Sequence, residues 1–184
     1  MAEKLRILGI SGSLRKGSYN SGALRAAVEL CPDEAQIDVF DIASIPPFNQ
    51  DNDQDPPAAV REFKEAITAS DAVLFSTPEY NYSIPGVLKN AIDWASRPYG
   101  QSAWDGKPAA IMGASIGGIA TARAQYDLRK MMVFLNMFPI NRPEVMIGNC
   151  ASRFDENGNL ADEATRFIIK EMLENLIAWT KKLK

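Results

Sequence analysis

Three stretches of this 184-residue chain carry side chains whose types and spacing suit the holding of an anion or a flat heterocycle. The first, residues 11–20, reads Ser-Gly-Ser-Leu-Arg-Lys-Gly-Ser-Tyr-Asn. Hydroxyls at Ser11, Ser13 and Ser18, a guanidinium at Arg15, flexible Gly12 and Gly17 and the amide of Asn20 gather where an apolar run gives way to helical periodicity. Backbone N–H groups at a helix start favour an anion, serine hydroxyls add donors, and arginine adds a planar charged fork. The stretch is neither GxxxxGK[ST] nor GxGxxG, which disfavours the common nucleoside-triphosphate and dinucleotide modes. Taken alone, the same residues also suit a turn that only caps a helix; the place directly after the first strand favours phosphate.

The second stretch, residues 77–86, is Thr-Pro-Glu-Tyr-Asn-Tyr-Ser-Ile-Pro-Gly. Two tyrosines, an amide and two prolines can form a rigid wall against a heterocycle whose carbonyls and nitrogens need partners. A turn whose aromatics pack on the protein itself is the other reading. The third, Ser115-Ile116-Gly117-Gly118, pairs glycines that let backbone N–H groups approach a ligand without an intervening Cβ, or that simply turn the chain. The chain contains no histidine, which excludes Ser-His-Asp and Cys-His mechanisms and removes the commonest metal ligand. No metal centre is expected. Chemistry must come from carboxylates, lysine, tyrosine and hydroxyls, or from a bound cofactor. Cys31 and Cys150 form no CxxC pair and read as two thiols in a reducing compartment.

The elements that must position these stretches alternate. Residues 5–10 form an apolar strand entering the first loop, and Ala23, Leu24, Ala27, Val28 and Cys31 recur at helical spacing until Pro32. Residues 36–42 predict a second strand, followed by a proline- and aspartate-rich loop to residue 57, longer than a simple connection needs and so expected to border a site. Val60, Phe63 and Ile67 fit a helix, 72–77 a buried strand, 85–94 a helix with proline in its first turn. Residues 108–114 predict a strand, 119–138 a long helix, 145–147 the last strand and 161–183 an amphipathic helix with Ile168, Met172, Leu173, Leu176 and Leu183 inward. This alternation implies an α/β fold: a flavodoxin-like three-layer sandwich whose parallel sheet has about five strands in the order 2-1-3-4-5. Ligands of such a sheet bind beyond the carboxyl ends of the strands, where all three unusual stretches lie.

Length and composition point to a single domain, 1–184. With 20 basic and 23 acidic residues the net charge is -3, which offers no basic surface for nucleic acid and too little acidity for an electron carrier that docks redox partners. No apolar run predicts a membrane span or signal peptide, and a cytoplasmic location is expected. Met131, Met132, Val133, Phe134, Leu135, Met137 and Phe138 are apolar almost all round the expected helix. That surplus is either buried between sheet and helix or set in a subunit interface, with Arg123, Tyr126 and Arg129 as polar contacts.

The motif Gly-Ser-Leu-Arg-Lys-Gly-Ser-Tyr-Asn at 12–20, Thr-Pro-Glu-Tyr-Asn-Tyr-Ser-Ile-Pro-Gly at 77–86, the following Leu-Lys-Asn-Ala-Ile-Asp-Trp at 88–94 and the glycine pair together resemble the NAD(P)H-dependent FMN reductase family. The resemblance is strongest to its soluble bacterial quinone and chromate reductases. It implies FMN as cofactor and NADPH or NADH as co-substrate, with quinones, flavins, azo compounds and chromate as acceptors. It further implies that Ser11, Ser13, Arg15, Ser18 and Asn20, with Tyr19 in the same motif, surround the FMN phosphate. Pro78, Glu79, Tyr80 and Asn81 would line the isoalloxazine, Tyr82 would stand near its open face, and Ser115, Gly117 and Gly118 would close the other edge. No side chain is assigned a catalytic role, because the flavin carries the chemistry. Ping-pong turnover and a homodimer or homotetramer are expected; residues 49–57 are where members of the family vary, so the resemblance does not fix acceptor preference. A flavodoxin-type electron carrier, or an FMN-binding module without turnover, is the alternative.

Overall fold

The computed structural model describes residues 4–184. Its strands are β1 (Leu5–Ser11), β2 (Ala35–Phe40), β3 (Ala72–Ser76), β4 (Pro108–Ala114), β5 (Phe138–Pro139) and β6 (Val145–Ile147); its α-helices are α1 (Tyr19–Glu29), α2 (Ala58–Thr68), α3 (Gly86–Ala95), α4 (Ala122–Phe134) and α5 (Glu163–Leu183). Every residue of β3 and β4 is buried, as central strands covered on both faces must be. The sheet is parallel in the order β2-β1-β3-β4-β5, with β6 also paired to β4. This is the expected order, with one refinement. The fifth position is shared: β5 pairs with Pro108 and Ala109 at the start of β4, and β6 with Met112, Gly113 and Ala114 at its end.

Alternation along β1 sends Ile7 to one face and Leu8 and Ile10 to the other, the period of two that divides a strand between layers. Ile7 packs with Leu24 of α1 and Ile169, Leu173 and Ile177 of α5. On the other face Phe63 and Ile67 of α2, Trp94 of α3 and Leu128 and Met132 of α4 close over Leu8, Ile10 and Phe75.

Three predicted boundaries change. The helix expected over 119–138 is α4, Ala122–Phe134, because Asn136 at φ 52° reverses the chain after the Leu135 cap and frees residues 138–139 to join the sheet; asparagine tolerates this left-handed terminus. The second strand stops at Phe40 because the Asp41 carboxylate accepts from Ala43 N at 2.9 Å and starts a single helical turn, Ile42–Ser44. The inner stripe of α5 runs through Ile169, Met172, Leu173, Leu176 and Ile177; Ile168 and Leu183 are exposed rather than inward, since 168 falls at the edge of the 3.6-residue stripe.

Candidate functional site

Ser11, Ser76, Met112 and Val145 stand in register across the sheet, so the loops leaving β1, β3 and β4 emerge side by side. The ladder continues into them through Gly12 N to Ser76 O at 2.8 Å and Thr77 N to Met112 O at 3.0 Å. Asn20 ties the first loop to the third. Its Nδ2 donates to Ala114 O at 3.0 Å and its Oδ1 accepts from Ala114 N at 2.8 Å, while Ser76 Oγ donates to Asn20 O at 2.9 Å. The Asn20 side chain is thus buried and engaged at both ends, fastening the first loop to β4.

Two of the three serines of this loop are also engaged internally. Ser18 caps α1, accepting from Asn20 N and Ser21 N at 3.2 and 3.3 Å, and Ser11 Oγ accepts from Ser13 N at 3.3 Å and lies 3.1 Å from Ser21 Oγ. The Ser13 hydroxyl and the backbone N–H groups of Leu14, Arg15, Lys16, Gly17 and Tyr19 donate to nothing among the described residues. These donors sit at the positive end of α1 with exposed Arg15 and Lys16 beside them, the arrangement that draws an anion. The Arg15 guanidinium lies 5.5 Å from the Tyr19 ring centre, and Tyr19 packs on Phe154.

Residues 80–83 form a tight turn closed by Tyr80 N to Ser83 O at 2.9 Å and Ser83 N to Tyr80 O at 3.1 Å. Both central residues are left-handed, Asn81 at φ 51° and Tyr82 at φ 70°, the signature of a type I′ turn. Asparagine tolerates that region; a tyrosine there is strained. The turn aims both tyrosines outward, Tyr82 with 69% of its surface exposed. Three side chains hold it against α4. The Glu79 carboxylate accepts from Arg123 N at 2.9 Å, Ala124 N at 3.1 Å and Arg123 Nη1 at 2.9 Å. It thereby supplies the helix cap that Thr121 does not make. Arg123 in turn stacks 4.0 Å from the Tyr82 ring centre, and a hydrogen bond from Ser83, followed by Lys130, draws the Asp127 carboxyl below the usual carboxylate range. Pro78 is buried behind the turn.

In the third loop Ser115 Oγ accepts from Gly117 N at 3.2 Å. Neither Gly117 nor Gly118 is left-handed, and no atom of the described residues lies within 4 Å of where a Gly118 Cβ would stand. Neither protein packing nor a left-handed backbone requires a glycine there. Residues 147–150 lie beneath: Ser115 N donates to Ile147 O at 3.0 Å, Cys150 N to Ser115 O at 3.1 Å and Asn149 N to Gly117 O at 3.3 Å. A Cβ on Gly148 would stand 2.8 Å from Gly118 O. Burial pushes the Cys150 thiol upward, partly offset by a backbone hydrogen bond and then by Arg15.

All fourteen residues singled out in the sequence thus fall on three adjoining loops or on the strand end and helix start that flank the first of them. Arg123, read from sequence as a polar contact of a subunit interface, here bonds Glu79 and stacks on Tyr82; Gly148 goes unnoticed in the sequence because no spacing rule links so distant a residue to the motifs. A cavity of about 380 Å³ lies away from these loops, where the ends of α3 and α4 meet Tyr99, Gly100 and Asp105. Another, of about 310 Å³, opens between Leu14, residues 42–47 and the first turn of α3. Among the described residues no cluster of metal-ligating side chains forms, and no helix is long and apolar enough to cross a membrane.

Residues 5–152 match the family described as NADPH-dependent FMN reductase. The chain is 52% identical, over the whole of both chains, to an NAD(P)H-dependent FMN reductase of Pseudomonas aeruginosa. It is 45% identical to a 2-hydroxy-1,4-benzoquinone reductase of a Burkholderia species, covering 96% of this chain and 97% of that one. Among solved structures it is similar to FerB, a flavoenzyme NAD(P)H:(acceptor) oxidoreductase of Paracoccus denitrificans, with a TM-score of 0.89, 37% identity and coverage of 97% and 98%.

Proposed function

The chain belongs to the NADPH-dependent FMN reductase family, and from that premise we propose that it works as one domain, holding FMN across its three strand-end loops and using NAD(P)H to reduce quinones and similar small acceptors. The observation that carries this reading is the row of unengaged N–H groups at residues 14–17 and 19, beside Arg15 and at the start of α1. A dianionic phosphate suits that row, and the exposed guanidinium adds charge-assisted bonds. The tyrosine turn 80–83 with Pro78 behind it gives a flat heterocycle a wall, and Gly117 and Gly118 leave its far edge room. Ser11, Ser18, Asn20 and Glu79 act from behind, fixing loop against loop; Ser115 orients Gly117.

When bound, FMN supplies the hydride and electron transfer that no side chain of a histidine-free protein performs. Arg15 and the N–H groups of residues 14–17 and 19 would anchor its phosphate, and the tyrosine turn would stand against its ring. Glu79 is the only acidic residue in the three loops, and its carboxylate is engaged at α4. No carboxylate of these loops is free to deliver a proton, and in this reading water at the exposed turn supplies those for the reduced acceptor. Free flavins, azo compounds and chromate are further acceptors in the same reading, since an open site admits small oxidants of several kinds.

Assembly and location belong to the proposal too. Val133 and Phe134 on α4 are 83% and 78% exposed beside the 380 Å³ cavity, an apolar surface that a second copy of this chain would cover in a homodimer or homotetramer. A cytoplasmic location accords with dependence on NAD(P)H. The test is initial-rate kinetics of the FMN-loaded protein with NADPH and 1,4-benzoquinone varied together. Rapid NADPH oxidation with parallel double-reciprocal lines is expected. Protein that binds FMN yet oxidises no NAD(P)H would be a carrier, and intersecting lines would remove the shared-site turnover.

A further inference from the structure

The proline- and aspartate-rich segment after β2 takes no part in holding FMN in the reading above, yet it is built with care. Phe48 N donates to Asn90 Oδ1 at 2.7 Å, and Asn90 Nδ2 and Trp94 Nε1 both donate to Pro46 O, at 2.9 and 2.8 Å. The Phe48 ring meets Trp94 edge-on with centroids 5.0 Å apart. These contacts pin the first part of the segment to α3, so that Ile42, Ile45 and Pro47 form one wall of the 310 Å³ cleft. Its other walls are Leu14, from the middle of the phosphate-type loop, and Val87, in the first turn of α3 just beyond the tyrosine turn. The cleft is therefore continuous with two of the three loops that would hold the flavin.

Its lining is aliphatic. Asn90, the polar side chain among the lining residues, has its amide oxygen and nitrogen engaged with Phe48 and Pro46. Leu14 and Val87 are exposed into solvent, so carbon placed against them leaves water and is stabilised by doing so. A charged or heavily hydrated group would lose solvation there without gaining a partner.

We propose that this cleft is an apolar subsite for the acceptor, taking the alkyl substituent of a substituted quinone whose ring lies at the flavin. The proposal rests on the FMN-reductase reading of the adjoining loops and names a substrate class within it: alkyl-substituted quinones are favoured over hydroxylated or anionic acceptors.

The test uses the FMN-loaded full chain, with rates normalised to flavin content from visible absorbance. The acceptors are 1,4-benzoquinone and its 2-methyl, 2-propyl and 2-pentyl derivatives. A methylene taken out of water lowers KM about fourfold, so KM should fall steadily along the series while kcat holds. Val87→Asp places a carboxylate in the first turn of α3, where it complements the positive end of the helix and leaves the fold intact; it should flatten the dependence of KM on chain length. Val87→Leu, which keeps the surface apolar, should retain it. An enzyme that reduces benzoquinone without any gradient, or a gradient that survives Val87→Asp, overturns the subsite and leaves the reductase standing. A protein that holds FMN and reduces none of the four overturns the reductase itself.

Discussion

Replacing Asn20 by alanine separates a residue that touches a cofactor from one that shapes the cofactor's site. The side chain joins β4 by two short hydrogen bonds, to Ala114 N at 2.8 Å and to Ala114 O at 3.0 Å, and both residues are only 3% exposed. Truncation leaves an N–H and a C=O dry and unpaired, each costing about 1–3 kcal/mol, so the FMN-free protein should lose about 2–6 kcal/mol. That is a large part of the roughly 5–15 kcal/mol by which a domain is stable. With a urea dependence of about 2 kcal/mol per molar, the unfolding midpoint should fall by about 1 M or more. FMN affinity should fall as well, because the first and third loops lose their tie. Arg15→Ala is the counterpart: Arg15 is exposed and makes no hydrogen bond among the described residues. Losing its charge-assisted bonds to phosphate should weaken FMN binding by about 1.5–3 kcal/mol, leaving the urea midpoint of the FMN-free protein unchanged. Circular dichroism in urea and fluorescence titration with FMN read the two quantities separately. An Asn20→Ala protein with the wild-type midpoint but weakened FMN binding would mean that Asn20 contacts the cofactor directly, and the argument from Ala114 would be wrong.

Gly148→Ala pushes a Cβ to within 2.8 Å of Gly118 O, so the third loop must lift, destabilising the fold by about 1–3 kcal/mol and weakening FMN. Gly118→Ala meets no protein atom within 4 Å and should weaken FMN with the unfolding midpoint unmoved; wild-type FMN affinity in this variant would show that nothing approaches that glycine. Glu79→Gln removes the negative charge from the start of α4 and from Arg123, for a loss of about 1–2 kcal/mol and a melting temperature lower by about 3–6 °C; no change in melting would mean that the cap contributes nothing. Asp162→Ala removes the cap of α5, at about 1 kcal/mol near neutral pH. Hydrogen bonds from Thr165, then from Arg153, hold the Asp162 carboxyl below its ordinary value, so its stabilisation is complete above a pH of about 4 and disappears as pH falls through the folded-state value. Urea midpoints of variant and wild type should converge in acid; an equal gap at pH 7 and in acid contradicts that linkage.

The alternation of strand and helix was legible because β1, β3 and β4 are short apolar runs set between periodic segments, and a sheet covered on both faces permits little else. The positions of the three loops followed from that order alone. The direction of individual side chains did not. Asn20 and Glu79 read as ligand contacts because an amide and a carboxylate in such loops are chemically suited to a flavin. Their actual partners, Ala114 and the first turn of α4, lie 94 and more than 40 residues away, and sequence carries no signal for such pairs. The end of α4 was overextended for a related reason: residues 131–138 are continuously apolar, and apolar composition does not distinguish a helix from an edge strand. The single asparagine at 136, left-handed in the structure, was the local sign of the break.

The tyrosine turn shows why the supporting residues belong to the site as much as the exposed ones. A type I′ turn is most easily made with glycine at its second central position, yet Tyr82 stands there at φ 70°, at a cost on the order of 1–3 kcal/mol for such a backbone. Strain of that size persists only where the surroundings over-determine the conformation. Here the surroundings are one helix: α4 takes the Glu79 carboxylate at its first turn, stacks Arg123 on the Tyr82 ring and meets Ser83 through Asp127. The same helix carries Val133 and Phe134 exposed at its far end. That end plays no part in holding the turn, so the tyrosine wall rests on the contacts of residues 123–127 with residues 79–83.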